Sequence, residues 1–185
     1  SAFLQEMEAI ARAWPDDDEA QLFLAQALLG VTRGERNVEN YLRAAAISKQ
    51  GYNAFVLRYR PGLGEQAATE DMAAALSWLF RYAAELGIDT AGYSVWGSSA
   101  GARMAANIGS QGPGGFGGEA LPKPAAVVMA YTGHSDVSTD EPPTFVVVGE
   151  HDAISPPAVM ERRLAALERA GVMVAYRKVP GLGHG

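Results

Sequence analysis

Cysteine is absent from the 185 residues. That excludes disulfides, thiolate metal sites and a cysteine nucleophile, and it fits any compartment. No apolar run approaches the roughly 20 residues needed to span a bilayer. The first residues lack a basic segment followed by an apolar one, so no signal peptide is expected; a cytoplasmic protein and a mature secreted one whose leader was removed before Ser1 both fit. No basic stripe offsets the net charge of −6, which argues against a nucleic-acid or anionic-membrane partner. Charged residues are only 19% of the chain, too few for a disordered polyampholyte. Histidine is scarce too, with three in the chain, so any chemistry needing an imidazole has few places to find one. What is present is 48% hydrophobic residues, enough for one globular domain or a small domain with an appendage.

Two compositions meet near residue 48. Residues 1–47 read as helices alone. Leu4, Met7, Ile10 and Ala11 recur at helical spacing. Trp14 to Asp18 breaks that helix, and Asp17 or Asp18 can cap the next, which Leu22 to Leu28 fills and Gly30 ends. A third helical stretch runs from Val38 to Ile47. The pattern Pro15, Glu19-Ala20, Leu24-Ala25 and Ala27-Leu28 resembles a tetratricopeptide-type helical hairpin. A plain helical extension packed on the following domain is the simpler reading, because a lone repeat cannot bury its own apolar face.

From Gly51 onward strands alternate with helices. Asn53 to Tyr59 is a near-continuous apolar run, as expected of a strand covered on both faces. Ala67 to Leu86 predicts one long helix with Met72, Ala75, Leu76, Leu79 and Phe80 on a stripe. Tyr93–Trp96, Ala125–Tyr131, Thr144–Val148 and Val172–Val179 predict four further strands. Helices are expected from the residues after Ser99 to Ile108 and from Pro156 to Ala170, and a glycine-rich loop from Gly109 to Gly118. This alternation implies an α/β fold, a parallel sheet with flanking helices, in residues 48–185.

The sharpest local signal is Gly97-x-Ser99-x-Gly101 between a strand and a helix. A serine hydroxyl attacks a carbonyl only when it stands proud of the surface within reach of a base. A tight strand-to-helix turn exposes it, and small residues on either side avoid collisions. The following helix points its first N–H groups at the same spot, which makes the amide of Ala100 an oxyanion donor. Without that chemistry the motif would be a glycine-rich turn opening a helix. For the acid, Asp152 lies beyond the carboxyl end of the Thr144–Val148 strand, where open parallel sheets keep their active groups. Glu150 and His151 lie there too, and Asp136 competes from the loop after the preceding strand. For the base, His184 follows the final strand in a glycine-rich loop that lets the ring reach Ser99. His151 adjoins the acid and would point away from it, and His134 would line a pocket. The order serine, acid, histidine is the one that α/β-hydrolases present.

Residues 48–185 resemble an α/β-hydrolase of the esterase/lipase kind, near the acetyl-xylan-esterase and dienelactone-hydrolase-like carboxylesterases. The likeness is carried by Gly51 to Arg60, Glu85-Leu86-Gly87-Ile88-Asp89, Gly97 to Gly101, Val148 to Asp152 and Pro180 to Gly185. It implies ester hydrolysis through an acyl-enzyme, with no metal or organic cofactor and a small-molecule ester as substrate. By the family pattern Ser99, Asp152 and His184 take the three triad roles. Trp96, Met129, Tyr131, His134 and the Gly109–Gly118 loop are candidates for the pocket wall, although core packing is the plainer role for Trp96 and Met129. A homo-oligomer is compatible with this picture.

Two departures stand out. The family places a further strand and a glycine-rich oxyanion loop between the stretches matching Ala54–Tyr59 and Tyr93–Trp96, and neither is found. The family also continues past the histidine into a closing helix. A piece of a longer chain, segments absent from the numbering, or a fusion with a rebuilt sheet would each account for this. The second oxyanion donor stays unassigned. Two rival functions follow: an inactive hydrolase relative or helical interaction module, and a peptidase or thioesterase using the same three residues.

Overall fold

Valine-rich runs bury best when both faces of a strand are covered, and the two central strands of this sheet are buried in that way. The computed structural model describes residues 51–60, 62–134 and 137–184, with the single positions Ala9, Arg12 and Ser48. The expected N-terminal helices, including the hairpin-like stretch, lie outside the described residues, and so does Asp136. The chain divides into two compact units, Ser1–Val56 with Gly185, and Leu57–His184. The second carries the sheet, its helices and the candidate site.

Its strands are β1 (Ser94–Ser98), β2 (Ala126–Ala130), β3 (Thr144–Gly149) and β4 (Val174–Val179). They pair in parallel in the order β1-β2-β3-β4. The helices are α1 (Gly64–Arg81), α2 (Ala83–Leu86), α3 (Ala100–Gln111) and α4 (Pro157–Arg169), with a 3₁₀ turn at Pro113–Phe116. The expected long helix is thus interrupted at Tyr82, and Gly87 closes α2 in the left-handed conformation at φ 65°, where a side chain would be strained.

Helix α3 lies close over β1 and β2, and small residues, three of them alanine, line much of its buried face beside Met104 and Ile108. Ala102, Ala105 and Ala106 are fully buried. At Gly109 a Cβ would stand 2.7 Å from Val127 Cγ2, so only glycine fits that crossing. Val127, Met129, Val146, Val148, Met160, Leu164 and Leu167 complete the core between α3, the sheet and α4. At about 1.5–3 kcal/mol per fully buried aliphatic side chain, these residues dominate the stability of the unit.

Two expectations need correction. The run 53–59 forms no strand, and Phe55 and Val56 are about half exposed. A parallel strand exists only where a neighbour completes its ladder. Among the described residues no strand pairs with β1 on its other side. Among the described residues β4, expected as a strand, ends the sheet, with residues 175–178 exposed. Tyr176 and Lys178 donate from it to Glu161 of α4 at 2.9 and 2.8 Å. The Lys178 ammonium, with help from the Tyr176 hydroxyl, holds the Glu161 carboxyl below the usual carboxylate range. Charged residues on an edge also discourage pairing with another chain. Last, residues 109–118 are not a loose loop, since α3 continues to Gln111 and the 3₁₀ turn follows.

One ion pair is buried among these elements. Arg163 of α4 donates to Glu141 Oε2 at 3.0 Å, and both side chains are about 1% exposed. Glu141 Oε1 accepts the Ser110 hydroxyl at 2.5 Å and the Ser138 N–H at 2.6 Å.

Candidate active site

Ser99 closes β1 and opens α3. Its backbone sits at φ 51°, ψ −116°, a region that non-glycine residues occupy only under constraint. The constraint is visible: its N–H donates to Ala130 O of β2 at 2.9 Å, and its own carbonyl accepts the Arg103 N–H at 3.2 Å. A serine preceding a helix ordinarily caps it through Oγ, yet here the side chain makes no cap bond. Its Oγ instead lies 3.2 Å from His184 Nε2. Ala100 is the first helical residue, so its amide is one of the N–H groups that no turn of the helix can satisfy.

The two motif glycines are not equivalent. A Cβ on Gly97 would stand 2.0 Å from Gly101 O and 2.5 Å from Ala102 N, whereas a Cβ on Gly101 meets nothing within 4 Å. The expectation that both are small for steric reasons therefore holds only for Gly97. Gly97→Ala is expected to displace the Ser99 turn and abolish reactivity at Ser99, with Gly101→Ala retaining it. Labelling of both variants by an active-site serine reagent checks this.

Asp152 follows β3 and is 3% exposed, so it is not a solvated loop acid. Oδ1 accepts the Ile154 and Ser155 N–H groups at 2.9 and 2.7 Å, and Oδ2 lies 2.8 Å from His184 Nδ1. A carboxylate accepting on both oxygens requires the ring proton on Nδ1. Nε2 is then free to accept from the Ser99 hydroxyl.

His184 follows β4, and the end of β3 holds its loop. A Cβ on Gly149 would stand 2.3 Å from Gly183 O and 2.5 Å from Leu182 O, so the loop crosses β3 where only glycine allows it. His151 N–H donates to Leu182 O at 2.8 Å, and Gly181 N–H donates to Glu150 Oε2 at 3.0 Å. Gly149, Glu150 and His151 thus serve the histidine loop, a role that sequence reasoning missed. The only signal was their position beyond a strand end, which named them as neighbours of Asp152 and not as supports of His184. Tyr131 follows β2 at φ 40°. Its ring meets the His184 imidazole edge-to-face, with centroids 4.8 Å apart and planes at 71°.

The remaining pocket candidates divide. The indole N–H of Trp96 donates to Ser94 Oγ at 2.6 Å, which draws the ring toward the amino end of β1, away from Ser99. Met129 is fully buried in the core. His134 is 9% exposed in the loop after β2, with its N–H on Thr132 Oγ1. The Gly109–Gly118 stretch lies at the other end of the sheet, because α3 carries the chain through 12 residues, about 18 Å at 1.5 Å per residue. Its glycines serve close packing there: a Cβ on Gly118 would stand 2.9 Å from Ala73 O and from Ser77 Oγ. Among the described residues no group of three or more His, Asp or Glu could hold a metal ion, and no helix is long and apolar enough to cross a membrane.

The BD-FAE family model, that of an α/β-hydrolase esterase family, matches residues 30–120. Comparison with curated proteins finds no match. Similar solved structures include an α/β-hydrolase enzyme from a Medee basin deep-sea metagenome library. It is 26% identical, with 78% of this chain and 62% of that one covered at a TM-score of 0.65. A carboxylesterase from Lactobacillus plantarum WCFS1 is 19% identical, with 82% and 68% covered at a TM-score of 0.66. A carboxyl esterase from the mycorrhizal fungus Tuber melanosporum is 20% identical, with 77% and 62% covered at a TM-score of 0.64. The chain thus spans 62% of the length of the metagenome enzyme.

Proposed function

For a chain of the α/β-hydrolase fold that is similar in structure to esterases over 77–82% of its length, we propose hydrolysis of carboxylic esters through a serine acyl-enzyme. The observation that carries this reading is the unbroken relay from Ser99 Oγ to His184 Nε2 at 3.2 Å and from His184 Nδ1 to Asp152 Oδ2 at 2.8 Å.

In this reading Ser99 Oγ attacks the ester carbonyl while His184 Nε2 takes its proton. The imidazolium that forms faces the Asp152 carboxylate, which stabilises the charge and keeps the ring oriented. The Ala100 N–H, at the positive end of α3, supports the developing oxyanion. His184 returns the proton to the departing alkoxide. Water then repeats the sequence on the acyl-enzyme and frees the acid and Ser99. The substrate is a small-molecule ester, and the chemistry draws on these side chains and one backbone amide.

A fluorophosphonate reagent tests the nucleophile. Stoichiometric labelling at Ser99, together with turnover of a short p-nitrophenyl ester, is the expected result. Folded protein that neither labels at Ser99 nor turns over the ester overturns the proposal.

A further inference from the structure

We propose that Tyr131 is a positioning residue for His184, a role that rests on the hydrolase reading above. Two hydrogen-bonding contacts hold the imidazole, one at each nitrogen: Asp152 at Nδ1 and Ser99 at Nε2. Both act in the ring plane. They define an axis and leave rotation about that axis weakly restrained. The loop that carries His184 is anchored at Gly181 and Leu182 by the end of β3, which holds its backbone but not the tilt of the ring. A wall beside the ring is therefore needed to fix its tilt, and the Tyr131 ring stands there at 4.8 Å and 71°, within the range of favourable edge-to-face aromatic contacts.

The backbone points the same way. Ser99 and Tyr131 are the two non-glycine residues with positive φ among the described residues, at 51° and 40°. They are joined through one bond, because the Ser99 N–H donates to the carbonyl of Ala130, the residue before Tyr131. Tyr131 N–H in turn donates to Val147 O of β3 at 2.8 Å. The carboxyl ends of β1, β2 and β3 thus hold both constrained residues in place, one bearing the nucleophile and the other braced against the base. Strain of this kind persists where surrounding structure over-determines it, and it clusters at functional sites. At 9% exposure, the ring is a buried brace rather than an open pocket wall.

The test compares Tyr131→Phe and Tyr131→Leu in the full chain, with Tyr131→Met in place of the leucine variant should that fail to fold. The ring makes the contact, so Tyr131→Phe is expected to keep kcat within about twofold, whereas the aliphatic variant loses about 100-fold in kcat, the cost typical of a misplaced catalytic group, with KM unchanged. The low-field proton resonance of His184 Nδ1–H gives a second readout that needs no turnover. It should be sharp in wild type and Tyr131→Phe and broadened in the aliphatic variant. Unchanged kcat in the aliphatic variant, a raised KM with unchanged kcat, equal damage in Tyr131→Phe, or absence of the resonance from wild type each overturns the proposal. If wild type neither labels at Ser99 nor turns over the ester, the hydrolase reading fails by itself. The resonance then decides the brace alone: loss only in the aliphatic variant supports it, and persistence in every variant overturns it.

Discussion

Replacing Ser99 by alanine is expected to lower kcat/KM for a short ester by on the order of a millionfold, as removal of a serine nucleophile does elsewhere. The fold should survive. The Ser99 side chain caps nothing in α3, its hydroxyl faces His184, and alanine tolerates φ 51° no worse than serine. Thermal and urea unfolding should therefore shift by about 0.5 kcal/mol or less, the usual range for substitutions away from structural features. His184→Ala should cost nearly as much in rate as Ser99→Ala, and the double variant no more than either alone, because the groups act as one unit. Additive losses would mean that the two side chains do not cooperate in one proton transfer, and a fully active Ser99→Ala variant would end the acyl-enzyme mechanism.

Glu141→Ala carries the largest expected effect on stability, about 3–5 kcal/mol, because it removes the carboxylate that faces a buried guanidinium. Against a typical total of roughly 5–15 kcal/mol this approaches unfolding. The carboxylate binds Arg163, the Ser110 hydroxyl and the Ser138 N–H together, so it ties α4, α3 and the loop before β3 at a site 1% exposed. Replacing the pair with apolar residues of similar volume, as in Glu141→Leu with Arg163→Met, should recover most of the loss, since neither charge is then left alone. The midpoint of urea unfolding measures all three proteins. A single variant costing under about 1 kcal/mol, within the range of surface ion pairs, would show that the pair is effectively solvated. The Ser110 end of α3 lies a helix length from Ser99, so folded Glu141→Gln should keep its serine reactivity.

Strand β3 and the turn at Ser99 were readable because their signals are local. Phe145 to Val148 is apolar without interruption, and Gly97-x-Ser99-x-Gly101 joins two opposite periodicities. The brace of Gly149, Glu150 and His151 under the histidine loop was not readable. It depends on β4 returning beside β3, a contact between residues about thirty positions apart. The 53–59 run misled for a related reason. Its apolar pattern is that of a buried strand, but a strand is made by its neighbour, and pattern alone cannot supply one.

By itself the sequence determined the α/β alternation, the apolar strands β2 and β3, and three chemically suited side chains that each follow a strand in the order serine, acid, histidine. Hydrophobic period and turn chemistry act over a few residues, which makes them legible one segment at a time. Only the tertiary structure decided that Ser99, His184 and Asp152 meet within hydrogen-bonding reach, that Trp96 and the Gly109–Gly118 stretch face elsewhere, and that Gly97 is sterically required while Gly101 is not. Those outcomes depend on strand register and helix direction, and both arise from contacts between distant parts of the chain.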